Sequence, residues 1–587
     1  MYSLNKIKQT IAEEVNRIVG ADIVLAENLV YPPNAEMGDL SLPCFVLAKQ
    51  LGKNPAQVAE FLVGQIKSKG AIAGVSALGP YFNIKLVKNV LASSVIHEIN
   101  EQKEKYGINE SGERQKLLIE FSNVNTHKEY HAGHLRNLCY GDAVTRIMSA
   151  NDYQAIPVSY VNDFGIHVAK TLWALIAYYL DDKLGADIDE DLKKVPDNGN
   201  RGAFLGGVYV KASQELKENK IAKSLVEIIM KKIESRSGQE YALWQKTREW
   251  SIAQFAKIYE ELGVNFIKTY YESEFIDRGR ELVFELLDKG ILRKSEGAVI
   301  ADLEEYGLGV LVVLRTDGTA TYPVADIPLA MAKFKEYEPD ASIYIVDIRQ
   351  ALYFKQLFQI MKLMDYKKPM IHLGYDVVKL PTGMMSSRSG NVITYEDLKE
   401  KLISKASAET VARHPEWAKE KIDSVVNALV KGTIKFEMLK IGQDQPITFD
   451  MEKALSFSGF TAAYLQYTFA RMQSIIRKDY ELSKKLEVRS EKDFNLSNLT
   501  EEKEHKLVLK LAKYPEAVKQ GGKNFDPSEI ARYLFELAQE LNDYYHSVPI
   551  LKVEADVCLA RLQLIVSACQ IISNGLGLLG IETIDEM

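Results

Sequence analysis

The sequence predicts a multidomain α/β protein: a doubly wound parallel sheet at its centre, a small α/β domain before it and an all-α domain after it. Three observations carry this. The chain has 587 residues, more than one hydrophobic core serves, since domains stop growing at ~250–300 residues; length alone sets three or four domains as the expectation. Between residues 116 and 378 short apolar runs alternate with helical periodicity, the pattern of parallel strands joined by crossover helices. From about residue 395 to the end the sequence reads as amphipathic helices with no strand, broken at Gly442–Pro446, near Asn495–Thr500 and at Gly521–Pro527.

Residues 1–105 form the first expected domain. Helical periodicity covers 4–19, Pro32, Pro33 and Gly38 break the chain after it, FVLAKQLG reads as a second helix and LGPYFNIKL as a strand. The charged run at 100–116 is a linker. The central domain spans 106–455: strands at KLLIEFS, AIPVSYVNDFG, VLVVLRTDG, SIYIVDIRQ and PMIHLGYDVV, with a hairpin turn at Asp317-Gly318 and an Asp-, Lys- and Gly-rich insert at about 181–235 that decorates the sheet. Residues 456–587 are the helical domain.

Bulk chemistry bounds the function. Hydrophobic residues make up 47% and charged ones 26%, ordinary for a folded soluble protein. The net charge of -7 argues weakly against a nucleic-acid partner, although an acidic body can carry a local basic face. Cys44, Cys139, Cys558 and Cys569 form no C-x-x-C pair, so neither zinc nor a disulfide framework is expected. The first twenty residues lack the apolar stretch of a signal peptide. The apolar stretch near the C-terminus is interrupted by Arg561, Gln563, Gln570 and Asn574, a packed helix and not a membrane span. A reducing cytoplasmic setting follows.

His131-Ala132-Gly133-His134 falls where a strand and loop end and a helix begins. The positive end of that helix attracts anions, and two histidines one turn apart can donate to phosphate oxygens as charge develops there. Four residues of this kind also occur at plain helix starts. The longer segment IEFSNVNTHKEYHAGHLRNLCYGD, however, resembles the first signature region of class I aminoacyl-tRNA synthetases, with Asn125 and Lys128 where the arginyl enzymes carry Asn and Lys. PTGMMSSRSGNVI (381–393) is similar to their second signature loop. Met385-Ser386 keep its centre, Met384 and Ser387 replace both lysines, and Arg388 is the remaining cation; an arginine can hold phosphate bidentately. YVNDFGIHVAK resembles the family's stretch beside adenosine, with Asp163 kept and Phe164 replacing Trp.

A site for arginine needs carboxylates facing a guanidinium. Glu120 is a charge inside an apolar strand, Tyr322 and Asp326 lie four apart, and Gln350 follows a strand. By resemblance Glu120, Asn125, Tyr322, Asp326 and Gln350 match the arginine-binding residues of arginyl-tRNA synthetases, with Asp326 on the guanidinium. Pro323 and Ala325 stand where the family often has Leu and Arg. Residues 454–478 resemble the start of the family's anticodon-binding domain, with Tyr464, Gln466, Tyr467 and Arg471 as expected tRNA contacts, since aromatics stack bases and Arg holds phosphate. Residues 1–105 resemble the domain that touches the tRNA elbow.

The resemblance thus implies a Rossmann-like catalytic domain and the reaction of L-arginine, ATP with Mg²⁺, and tRNA(Arg) to arginyl-tRNA, AMP and pyrophosphate. His131, His134, Lys128 and Arg388 would carry the chemistry; His131, Gly133, His134, Asp163, Met385, Ser386 and Arg388 would bind ATP. It also implies a monomer that needs tRNA to activate arginine. Two alternatives stay open: a class I synthetase for another amino acid, and a tRNA-binding relative that has lost activation.

Overall fold

The computed structural model describes residues 1–197, 199–381, 383–384, 393–478 and 495–587. The N-terminal part is a three-stranded antiparallel sheet, ordered β1 (Leu40–Pro43), β3 (Tyr81–Leu86), β2 (Ile72–Leu78), with helices α1 (Ser3–Val19), α2 (Phe45–Leu51), α3 (Pro55–Gln65) and α4 (Lys88–Gln102). It leans on the C-terminal helices through charged contacts. Lys8 Nζ reaches Glu516 at 2.8 Å, and His505 Nε2 reaches Asp39 at 2.8 Å.

The central sheet comprises β4 (Lys116–Asn125), β5 (Gln154–Asn162), β6 (Lys268–Tyr271), β10 (Ala341–Asp347) and β11 (Met370–Tyr375), in the order β11-β10-β4-β5-β6 and all parallel. The chain runs outward from β4 on one side and returns on the other, so the crossovers diverge between β4 and β10. That divergence opens a crevice at the carboxyl ends of the strands, where such sheets bind ligands. α5 (Ala132–Ala150) and α6 (Ile166–Tyr179) follow β4 and β5. α5 lies close on β4 because residue 141 is glycine: a Cβ there would sit 2.1 Å from the Phe121 ring.

The strand VLVVL does not join the parallel sheet. It is β9 (Val310–Leu314) of a separate antiparallel sheet with β7 (Arg293–Ser295) and β8 (Ala298–Asp302). Its apolar run reads as a buried strand, but only Val313 is buried while Val310 and Val312 are exposed, and it pairs with β8. The hairpin expected at Asp317-Gly318 forms, with Arg315 N donating to Thr319 O at 3.0 Å. A second departure lies beyond residue 395, where β14 (Ile447–Thr448) pairs with β12 (Val378–Leu380), itself paired with β13 (Gly383–Met384). Two residues carry no periodicity to read.

The insert folds as α7 (Ile188–Leu192), α8 (Arg201–Glu215) and α9 (Lys220–Glu234), which share a core with α6 and with α10 (Gly238–Leu262). Helices α11 (Ile276–Asp288), α12 (Pro323–Tyr337) and α13 (Ala351–Leu363) complete the other half of the central region, and α14 (Tyr395–Arg413) and α15 (Lys419–Leu439) lead out of it. The C-terminal bundle contains Ala462–Lys478, Glu502–Ala512, Tyr514–Asn524, Pro527–Ser547 and Ala555–Leu578. The last of these is apolar and long enough to cross a membrane, yet 72% of its most apolar window is buried in the bundle. All four cysteines are buried and free.

Candidate active site

The crevice has a volume of about 420 Å³ and is lined by all five residues expected to hold arginine: Glu120, Asn125, Tyr322, Asp326 and Gln350. Each comes from a different corner of the switch point. Glu120 sits on β4, beside Tyr344 of β10 and Val158 of β5. A bulge between Phe121 and Val124 then turns the strand, with Ser122 at φ 58°. Left-handed backbone at a serine is strained and must be held by its surroundings. Here Ser122 N donates to Asn137 of α5, Ser122 Oγ pairs with Tyr259 at 2.8 Å, and Ser159 Oγ donates to Ser122 O at 3.1 Å. The bulge puts Asn123 and Asn125 into the crevice. Tyr322 caps α12 and Asp326 follows one turn on; Gln350 ends the short turn after β10.

Sequence reading missed the partners. Lys333 is 1% exposed and forms a buried ion pair with Glu120, which is 2% exposed. Burial opposes a charge on Lys333, but the Glu120 carboxylate outweighs it and holds the ammonium above its ordinary pKa. Asn123 Nδ2 donates to the other Glu120 oxygen at 3.0 Å. Asp326 accepts from the Tyr353 hydroxyl. Desolvation pushes its carboxyl up to about 6, with the Glu120 charge adding to the shift. Glu272, bonded by Asn162 Nδ2 at 3.2 Å, is pushed by burial up to about 8. The interior is therefore short of cations, and a guanidinium entering it would find carboxylates without full compensation. Lys333 had a legible signal: it lies seven residues after Asp326, two turns along the same face of α12. Tyr353 and Asn137 had none.

The helix start expected to meet the nucleotide begins at His131, the cap of α5. Its Nδ1 accepts from Gly133 N at 3.1 Å, and His134 Nδ1 accepts from His131 N at 3.3 Å. The two rings stack 3.9 Å apart. With both Nδ1 atoms accepting, the protons of the neutral rings lie on Nε2. Burial keeps them neutral: His131 falls to about 4, with Lys128 adding to the shift, and His134 lies well below the usual imidazole range. His127 is wholly buried at φ 58° between Thr126 Oγ1 at 2.9 Å and Thr247 Oγ1 at 2.8 Å. Behind this helix start, Arg136 donates to the carbonyls of Met438 and Gly442, and Lys435 meets Asp142 at 2.8 Å. Those bonds explain the polar residues that follow the histidines: they fasten α5 to α15.

Asp163, expected at the nucleotide, has its oxygens engaged within the protein. It is fully buried and its oxygens accept from Arg248, from Ser273 N at 2.9 Å and from Ser273 Oγ at 2.7 Å. Its role is to join β5 to α10 and to the turn after β6. Met385, Ser386 and Arg388 lie outside the described residues. The residue after that segment is placed: Ala132 N donates to Ile393 O at 3.2 Å, and Tyr395 N to Tyr130 O at 2.8 Å.

In the C-terminal bundle, Gln466, one of the expected tRNA contacts, is wholly buried and donates to Glu582 O at 2.8 Å. Tyr464 is half-buried, packs on Phe535 at 5.6 Å and accepts from Asn542 Nδ2 at 3.0 Å. Tyr467 and Arg471 reach the surface together: Arg471 Nη2 donates to the Tyr467 hydroxyl at 3.1 Å and its guanidinium lies 5.7 Å from the Tyr545 ring.

With this geometry in place, residues 95–450 match the family of class I tRNA synthetases (R), catalytic domain, residues 465–587 the DALR anticodon binding domain, and residues 5–86 the arginyl tRNA synthetase N terminal domain. The chain belongs to the arginyl-tRNA synthetase family. The arginine–tRNA ligase of Bdellovibrio bacteriovorus is 33% identical over 599 residues, spanning 100% of this chain and 99% of that protein. That of Clostridium botulinum is 32% identical over 584 residues, spanning 99% and 100%. The arginyl-tRNA synthetase of Thermus thermophilus shares the fold, with a TM-score of 0.78 at 24% identity over 100% of both chains. That of Plasmodium falciparum also has a TM-score of 0.78, at 20% identity.

Proposed function

We propose that the crevice is the active site of an arginine–tRNA ligase and that its two ends divide the work. One observation carries this: the five residues expected for arginine converge on one cavity, which Asn137 of α5, the helix that starts at His131, also lines. An arginine carboxylate oxygen attacks the α-phosphorus of ATP in line, pyrophosphate leaves, and the arginyl group then passes from the adenylate to the terminal ribose of tRNA(Arg). Mg²⁺ enters with ATP as part of the substrate. Asp326 meets the guanidinium as a carboxylate. Glu120, held by Lys333 and Asn123, sits with Asn125, Tyr322 and Gln350 around the rest of the amino acid. The neutral Nε2–H groups of His131 and His134 donate to phosphate oxygens, and Lys128 and Arg388 supply positive charge. Positioning and electrostatics carry this chemistry, with no covalent enzyme intermediate.

In this reading the chain divides near residues 105 and 455, Tyr467 and Arg471 contact the anticodon arm, and the protein works as a cytoplasmic monomer. ATP–pyrophosphate exchange, run with each amino acid and with or without tRNA(Arg), tests it. Exchange that requires both arginine and its tRNA is the expected result. Exchange driven by a different amino acid would assign another specificity. Silence under every condition would leave a tRNA-binding protein.

A further inference from the structure

The insert does more than cover the sheet. Helix α8 touches the loop that carries Lys128 and the segment that follows the second signature loop. At Gly206 it runs against that first loop so closely that a Cβ would lie 2.7 Å from Glu129 N and 2.8 Å from Glu129 Cα. One turn on, the buried Tyr209 places its ring under Lys128, with Nζ 5.3 Å from the ring centroid, within cation–π range. At the start of α8, Asn200 Nδ2 donates to Glu396 Oε1 at 2.9 Å, an oxygen that also accepts from Gln254 at 2.6 Å. Glu396 lies in the first turn of α14, immediately after the second loop. The core that α8 shares with α6 and α9 makes it a fixed base for both contacts.

We propose that α8 is a positioning element of the activation step, in which Tyr209 sets the Lys128 ammonium against the nucleotide phosphates. Tyr209 touches no substrate and acts through Lys128. This rests on the assignment of Lys128 to the phosphates, and the test separates the two. Exchange kinetics with tRNA present give KM for ATP in Lys128→Ala, Tyr209→Met, Tyr209→Phe and the Lys128→Ala/Tyr209→Met pair. Methionine fills the space without an aromatic face. Tyr209→Met is expected to raise KM for ATP about tenfold, the scale of one desolvated cation–π contact, with KM for arginine unchanged. Tyr209→Phe keeps the face and stays near wild type. In the Lys128→Ala background Tyr209→Met adds nothing, the non-additivity expected of one shared path. If Lys128→Ala leaves KM for ATP unmoved, the phosphate assignment fails and this inference with it. If Lys128→Ala raises it and Tyr209→Met does not, the inference alone fails. Equal effects of Tyr209→Met in both backgrounds, including any that come through the fold, overturn it as well.

Discussion

In the proposed reading, the amino-acid end and the nucleotide end of the site solve electrostatics in opposite ways. The amino-acid end is built from acidic groups: a buried Glu120–Lys333 ion pair, an Asp326 carboxyl pushed up to about 6 and, behind Asn162, a Glu272 carboxyl pushed up to about 8 and so mostly neutral near pH 7. The nucleotide end is built from neutral groups: the half-buried His131 at about 4 and His134 well below its usual range, both uncharged near pH 7. A pocket for a cation must hold anions that want compensation, and desolvation supplies that want. A site whose substrate already carries several negative charges and its own metal ion needs donors with fixed direction more than it needs another titrating group. The difference teaches that pH should act on arginine and leave the histidines alone.

The harshest way to break this contrast is to remove the resident cation. Lys333→Met leaves Glu120 buried without its partner, and breaking a buried pair costs about 3–5 kcal/mol. We expect the free energy of unfolding to fall by that amount, read as a lower urea midpoint. Adding Glu120→Gln should restore most of it, because the orphaned charge is gone. A single variant as stable as wild type would mean that the pair is not buried in solution.

Asp326→Asn comes next. It keeps an acceptor for Tyr353 but removes the charge that meets the guanidinium. A charge-assisted bidentate contact of ~2–3 kcal/mol corresponds to a rise of about 100-fold in KM for arginine, with KM for ATP unmoved. Because the folded-state pKa lies above the unfolded one, Asp326 takes up a proton on folding between about pH 4 and 6, and its contribution to stability falls as pH rises through 6. Without arginine the variant should therefore melt higher than wild type at pH 7.5. A variant that loses arginine and also melts lower would contradict the strained-carboxyl account. Wild-type enzyme offers a gentler form of the same test: below pH 6 its KM for arginine should rise about tenfold per unit, the slope of one proton.

The parts of this contrast that were legible in the sequence are those that single residues announce. A glutamate inside an apolar strand, a tyrosine and an aspartate one helical turn apart, and a glycine between two histidines each violate a local pattern for a reason. What stayed hidden depends on partners far away in the chain. The spacing of Lys333 from Asp326 marks its face of α12, but its pairing with Glu120 shows only once β4 is known to lie beside it. Gln466 looks like a surface residue of an amphipathic helix until the carbonyl of Glu582 arrives to accept from it. Asp163 sits in a motif-like stretch, yet Arg248 and Ser273, contributed from far along the chain, take its oxygens. VLVVL reads as a sheet strand and is one, but a strand's composition does not say which sheet will pair it.

The smallest expected effect is at the nucleotide end, and it is close to zero. Among nine histidines, the buried His127 and the half-buried His131, His134 and His167 are held below the ordinary imidazole pKa by desolvation, His127 at about 3. Carbon-13 labelling of the imidazoles should show these four flat from pH 5.5 to 8. Single His→Gln variants assign the signals. The cost of this neutrality has a definite sign: the unfolded chain binds protons below about 6.5 that the folded one refuses, so stability is full above that pH and falls as pH drops toward 4. A His131 signal with a midpoint above 5.5 would place charge at the nucleotide end and erase the contrast between the two halves of the crevice.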